Sequence, residues 1–170
     1  HGTHVAGIIA GENNNIGMIG IAYNTEIIPY KAAYTYYDRD DYGNLTGNIE
    51  NTFVDNNIIK LAFDDAYSRD AIAINNSYGY TADDYINASY WLTDKTGVES
   101  FLGADFIQTI RKAKDNDTVI VWAAGNDGYS QPDIFSGLPL VYTEMKDYFI
   151  TVIAVNNSGK LDTITYPDGT

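Results

Sequence analysis

Apolar residues along this chain gather in short clusters, each closed off by glycine, asparagine or aspartate. The first cluster, Val5-Ala6-Gly7-Ile8-Ile9-Ala10, lies in a run without carboxylates that ends at Glu12. Its apolar residues cover most of a helix's circumference, which predicts a helix over 1–11 that is buried rather than surface-lying. Gly2, Gly7 and Gly11 weaken such a helix by about 1 kcal/mol each relative to alanine, a cost accepted where backbones must approach closely. Residues 12–22 run polar and then apolar with glycines, a turn leading into a strand. Ile27, Ile28 and Tyr30 predict a buried strand within 26–33, and the polar, aromatic residues 34–47 a surface loop. Ile49, Phe53, Ile58 and Ala62, with Val54, Ile59 and Phe63, recur at three- and four-residue spacing and predict an amphipathic helix. Ala71-Ile72-Ala73-Ile74 is short, apolar and bounded by polar residues, the pattern of a strand covered on both faces. Phe101, Leu102, Phe106, Ile107 and Ile110 mark a helix ending in Arg111, Lys112 and Lys114, cations that complement the negative end of its dipole. Residues 119–122 and 149–155 predict two more buried strands. Strands alternating with helices give an α/β fold with a mainly parallel sheet and helices on both faces.

Composition narrows the partners rather than the fold. With 170 residues and 45% hydrophobic content, the chain fits one domain with a substantial core. No apolar run approaches the roughly 20 residues of a membrane span. The net charge of −13, from 23 acidic and 10 basic residues, repels nucleic acid and anionic membranes, so neither is expected as a partner. The absence of cysteine excludes a disulfide scaffold and thiol catalysis, and leaves export open. The chain begins on a histidine, without an initiator Met, and is expected to be a piece of a longer protein whose targeting signals lie upstream.

The candidate chemistry starts at that histidine. An imidazole at the mouth of an apolar helix is either a satisfied core histidine or a working base. A zinc reading of His1 and His4 finds no further histidine, no cysteine and no His-Glu-x-x-His pattern. The string His1-Gly2-Thr3-His4-Val5-Ala6-Gly7 resembles the segment around the catalytic histidine of subtilisin-like serine proteases, the subtilases. The resemblance implies that His1 is the general base and that His4 is structural. The following Asn13-Asn14-Asn15-Ile16-Gly17-Met18-Ile19-Gly20 resembles a calcium-binding loop of that family. There Asn14 would supply a side-chain oxygen, and Glu12, Ile16 and Met18 backbone carbonyls, hard donors that suit Ca²⁺. Calcium would be structural; the chemistry itself requires no cofactor.

Two strand ends carry the rest. Ile74-Asn75-Asn76-Ser77-Tyr78-Gly79 reads in isolation as a turn after a strand. It also resembles the subtilase segment whose backbone lines one side of the substrate cleft, where an extended peptide pairs by main-chain hydrogen bonds. Substrate contacts are therefore expected at Ser77, Tyr78 and Gly79. Val121-Trp122-Ala123-Ala124-Gly125-Asn126-Asp127-Gly128 ends in what would otherwise be a tight turn. Its small residues Ala123, Ala124 and Gly125 leave space for a substrate side chain between the two segments. Asn126 resembles the subtilase asparagine that completes the oxyanion hole by donating its side-chain N–H to the oxygen that becomes negative during acyl transfer. Residues 79–100, acidic and aromatic, are longer than the family needs and are expected to form an insertion beside the cleft. Gly137-Leu138-Pro139 and the strand within 149–155 are similar to subtilases borne on bacterial autotransporters.

A Ser-His-Asp device also needs an orienting carboxylate and an attacking serine. In the subtilisin order the aspartate precedes the histidine and the serine follows, so both are expected outside these 170 residues. The terminal Gly169-Thr170 is a poor start for the family's Gly-Thr-Ser, since Pro167-Asp168 does not fit before it. Residues 1–170 are thus expected to be a partial subtilase catalytic domain, inactive alone. The resemblance implies, for the intact protein, a secreted or cell-surface serine endopeptidase acting on polypeptides. The alternative is a subtilase-like domain that binds peptides without cutting them.

Overall fold

The computed structural model describes residues 1–53, 55–79, 94–126 and 132–160. Val54, most of the expected insertion, Asp127-Gly128, Ser130 and the terminal 167–170 lie outside the described residues. The chain forms two compact units, His1–Ala66 and Tyr67–Thr170.

In the first unit, α1 spans Gly2–Ala10 as the pattern predicts, but none of its residues is buried. The expected burial is therefore not met: its cover is the loop that follows, which packs on one end and leaves the rest open. The close backbone approach is real. Gly20 N donates to Gly11 O at 2.8 Å, Ile21 N to Ile8 O at 3.1 Å and Ala22 N to Ile9 O at 2.7 Å. These bonds satisfy carbonyls of the last helical turn, which lack intrahelical partners. They also explain why residues 20–22 join no strand: their N–H groups are spent on the helix end. A Cβ at Gly11 would lie 2.7 Å from Gly7 O and 2.8 Å from Met18 O, and one at Gly20 would run into the backbone of residues 9–11.

Residues 26–32 take no regular element, with Ile27 and Tyr30 exposed, so the expected buried strand there is absent. No neighbouring strand among the described residues pairs with them. The expected surface loop is instead a hairpin, β1 (Ala33–Arg39) antiparallel to β2 (Leu45–Phe53), with Ala33 opposite Phe53 and Tyr37 opposite Ile49. The tyrosine- and threonine-rich run has strand propensity that outweighs its polarity. Asp40 closes the turn, its Oδ1 accepting from Tyr42 N at 2.9 Å and Asn44 N at 2.8 Å, with Gly43 at φ 81°. The amphipathic helix begins correspondingly later, as α2 (Asn56–Ser68), with Ile59, Phe63, Ala66 and Tyr67 buried at helical spacing. Asp55 starts it by accepting from Asn57 N at 2.7 Å.

The second unit holds a three-stranded parallel sheet in the order β3 (Ala73–Asn76), β4 (Val119–Ala123), β5 (Phe149–Val152). This gives the α/β fold. Between β3 and β4 run α3 (Lys95–Leu102), capped by Asp94 Oδ1 accepting from Gly97 N at 2.8 Å, and α4 (Ala104–Asp115). Phe101 and Leu102 thus belong to a separate helix from Phe106, Ile107 and Ile110, broken at Gly103 with φ 90°. Between β4 and β5 lie a short helix α5 (Leu138–Val141) and a 3-10 turn (Thr143–Asp147). β4 is the central strand: Ile120 and Trp122 are fully buried, while Val119, Val121 and Ala123 are half-buried. β3 is an edge strand of the described sheet, and with Ala73, Asn75 and the preceding Ile72 exposed it is not covered on both faces as its apolar run suggested; the strand expected to be buried over 149–155 is likewise shorter and buries only Phe149. The core gathers Val98, Phe106, Ile110, Trp122, Phe135 and Leu138, with Trp122 stacked on Phe135 at 4.6 Å between ring centroids.

Candidate active site

His1 stands at the N-cap position of α1, exposed, its carbonyl accepting from Val5 N at 3.1 Å. The imidazole does not cap the helix. His4, one turn on, is also exposed. In the loop beyond, Asn14 Oδ1 accepts from Ile16 N at 3.0 Å and its Nδ2 donates to Glu12 Oε2 at 3.1 Å. Asn15 and Gly17 both take positive φ, 63° and 71°, which turns the chain tightly there. Among the described residues no three His, Asp or Glu side chains converge as a metal-binding group.

The second unit brings the two strand ends together. Asn75 pairs with Val121 and Asn76 with Trp122 in parallel register, so residues 77–79 and 124–126 leave the sheet side by side at its carboxyl end. Open α/β sheets bind ligands at that end. The first segment is tied down by side chains from its neighbour. Trp122 Nε1 donates to Tyr78 O at 2.8 Å, and the Tyr78 ring meets the indole edge-on at 5.3 Å. Tyr78 Oη donates to Asn76 Oδ1 at 3.1 Å, and the buried Asn76 Nδ2 donates to Val121 O at 3.3 Å. Ser77 Oγ accepts from Asn75 Nδ2 at 3.0 Å. Each contact limits how far the 77–79 backbone can move.

The second segment is fixed through its backbone. Ala124 N donates to Val152 O at 2.9 Å and Ala124 O accepts from Asp133 N at 3.1 Å. Gly125 adopts φ 100°, a conformation that L side chains rarely take, and turns the chain so that Asn126 is exposed at the strand end. The structure therefore collects Ser77, Tyr78, Gly79, Ala123, Ala124, Gly125 and Asn126 at one sheet end. His1, with Glu12, Asn14, Ile16 and Met18, belongs to the other unit.

Sequence reasoning missed three residues here. Trp122 reads only as a strand apolar, because its N–H finds a partner far away in the chain. Asn76 reads as turn chemistry. Asp133 is buried, and its Oδ1 accepts from Phe135 N at 2.9 Å. A signal for it exists in Pro132-Asp133 before an apolar pair, where aspartate bonds the backbone two residues on.

Comparison with known proteins gives a match to the family model described as "Subtilase family" over residues 1–166. An extracellular serine protease of Serratia marcescens is 29% identical over 95% of this chain, which spans 16% of that protein. Subtilisin E of Bacillus subtilis is 29% identical over 94% of this chain, which spans 32% of it. A subtilisin of Bacillus pumilus is 30% identical over 94% of this chain, spanning 44% of it. The chain thus covers less than half the length of each of these relatives.

Proposed function

The chain belongs to the subtilase family, and on that footing we propose that the protein carrying it is a serine endopeptidase that hydrolyses polypeptides by acyl transfer. The observation that carries this reading is that residues 77–79 and 124–126 follow directly on the paired ends of adjacent parallel strands, the first held by Trp122 and the second bent at Gly125. A peptide lying along 77–79 gains main-chain hydrogen bonds there. A serine and an orienting aspartate from flanking segments would complete the device. As the serine oxygen attacks the carbonyl carbon, His1 takes its proton, and the Asn126 side-chain N–H donates to the carbonyl oxygen as it becomes anionic. His1 then returns the proton to the leaving amine, and water repeats the sequence to release the acid.

The names of relatives from Serratia marcescens and Bacillus subtilis, an extracellular serine protease and a minor extracellular protease, support an exported protein. The oxygen-only donors of the 12–18 loop fit Ca²⁺ in kind, with Asn14 Oδ1 keeping a second lone pair beside its bond to Ile16 N. Asn14, Glu12, Ile16 and Met18 would hold the ion, which would brace the loop against α1. An unchanged melting temperature of the full-length protein between EGTA and millimolar Ca²⁺ would remove that ion from the proposal.

The test is direct. Full-length protein is incubated with casein and with a serine-directed fluorophosphonate probe, beside its His1→Ala variant. Hydrolysis and labelling in the first and loss of both in the second are expected. A folded protein that binds peptide but shows neither would be a peptide-binding domain without catalysis.

A further inference from the structure

Away from the sheet end, one short motif recurs along the chain. Asparagine followed two residues on by serine or threonine occurs at Asn44-Leu45-Thr46, Asn75-Asn76-Ser77, Asn87-Ala88-Ser89, Asn116-Asp117-Thr118 and Asn156-Asn157-Ser158. Such strings accept N-linked sugar where they lie in exposed loops, and in an asparagine-rich chain the string alone is a weak signal. The structure separates them. Asn44 Nδ2 is turned onto the Asp40 carboxylate, 3.2 and 3.4 Å from its two oxygens. Asn75 stands in the paired strand β3, with its Nδ2 donating to Ser77 Oγ at 3.0 Å. Asn116 Nδ2 donates to Lys112 O at 2.7 Å, and Thr118 is buried with its Oγ1 donating to Ala71 O at 2.8 Å. Asn87 lies outside the described residues.

Asn156 is presented differently. Asn156, Asn157 and Ser158 are all exposed, in the turn that follows β5. Asn156 Oδ1 accepts from Ser158 N at 2.9 Å and from Lys160 N at 3.2 Å, and two N–H partners identify that atom as the oxygen. The backbone closes the same turn, with Asn156 N donating to Lys160 O at 2.8 Å and Gly159 N to Asn156 O at 2.9 Å. Nδ2 makes no hydrogen bond to the described residues. We propose that Asn156 is an N-glycosylation site, its donor a sugar activated at the anomeric carbon by a diphosphate. Nδ2 attacks that carbon, and the C–N bond forms as the C–O bond to the diphosphate breaks. The diphosphate leaves with the electron pair, and one amide proton passes to a base of the transferase. An amide nitrogen is a poor nucleophile, because its lone pair is shared with the carbonyl. The two N–H groups on Oδ1 stabilise the negative charge that reaches this oxygen as the proton leaves. The proposal does not depend on catalysis by this chain.

The full-length protein is purified from the organism that makes it and cleaved after lysine and arginine, which places Asn156 in the peptide 147–160. By mass spectrometry this peptide should be heavier than its bare form by whole sugar residues, and fragmentation should locate them on Asn156. Steps of single hexoses would identify a nucleotide sugar as donor, and one larger block a polyprenyl-linked oligosaccharide; either supports the proposal. Ser158→Ala keeps the backbone N–H that bonds Oδ1, so its turn should survive, while Asn156→Gln removes the acceptor. Both should lose the added mass entirely, and Asn157→Gln should keep it. A wild-type peptide of bare mass, sugar on Asn157, or sugar retained in Ser158→Ala would each overturn the proposal. So would sugar at Asn44, Asn75 or Asn116 with Asn156 bare. Catalysis is read separately by the casein assay: cleavage by a sugar-free protein leaves the endopeptidase standing and removes only this proposal, and sugar without cleavage does the reverse.

Discussion

Trp122 and Tyr78 hold each other by two contacts at once, a 2.8 Å hydrogen bond from the indole N–H to the Tyr78 carbonyl and an edge-to-face contact at 5.3 Å. The core thereby reaches out to set the segment proposed to bind peptide. Trp122→Phe keeps the stack on Phe135 and deletes the donor, leaving the Tyr78 carbonyl without it. A loss of about 1–3 kcal/mol in urea denaturation is expected. In the full-length protein KM for peptides should rise more than kcat falls. A variant with unchanged stability and unchanged KM would show this bond to be idle.

Asn126→Leu keeps the bulk and removes the donor. In the full-length protein kcat should fall by about 10²–10³ with KM little changed, a magnitude taken from the same substitution site in subtilisin itself rather than from this structure. A change confined to KM would make Asn126 a binding residue only. Unaltered kinetics would leave the turn with a purely structural part.

Gly20 is set against the helix end. Gly20→Ala forces a methyl into the backbone of residues 9–11, so a loss of several kcal/mol is expected, beyond the roughly 1 kcal/mol that a left-handed residue costs. Gly17→Ala is the control, because Gly17 has φ 71° with open space around it. Equal losses in the two variants, read from denaturation curves, would mean that the packing against α1 contributes nothing.

Burial pushes the Tyr142 phenol up to about 12, helped by the 3.1 Å hydrogen bond it donates to Glu99 Oε1. The unfolded value is near 10, so the folded state favours the protonated phenol. That stabilisation is complete below pH 10 and is lost as pH rises through 12, about 2–3 kcal/mol in all. Denaturation midpoints measured from pH 9 to 12 should fall more steeply in the wild type than in Tyr142→Phe. Parallel curves would contradict the assignment.

What could be read beforehand follows the range over which each interaction acts. α1, α4, β4 and β5 were legible as elements because their apolar period lies within the segment itself, although β5 stops at Val152 and buries only Phe149 of its residues. The β1–β2 hairpin was not, since Tyr34, Tyr36 and Tyr37 look like loop composition until the Asp40 turn pairs them with β2. Burial was legible for α4, where Phe106 and Ile110 are buried, and not for α1, none of whose residues is. At the sheet end, Ser77, Gly79, Gly125 and Asn126 were readable only through the subtilase motifs they resemble, since taken alone they read as local turn chemistry. Trp122, Asn76 and Asp133 were not, because each acts through a partner that only the sheet and the turn after it bring near.

The exposed outer row of β5 bears on handling as well as on fold. Ile150 and Val152 of β5, the last strand of the described sheet, and Ile153 and Val155 just beyond it are about half exposed. Their segment has high strand propensity and carries no charge and no proline. Such an edge can template further strands from other copies, and mutual repulsion is what opposes that growth. With a pI of about 4.2, this repulsion fades on acidification. Mildly alkaline, dilute storage should keep the chain dispersed, and slow passage through pH 4 should turn it into fibrillar precipitate.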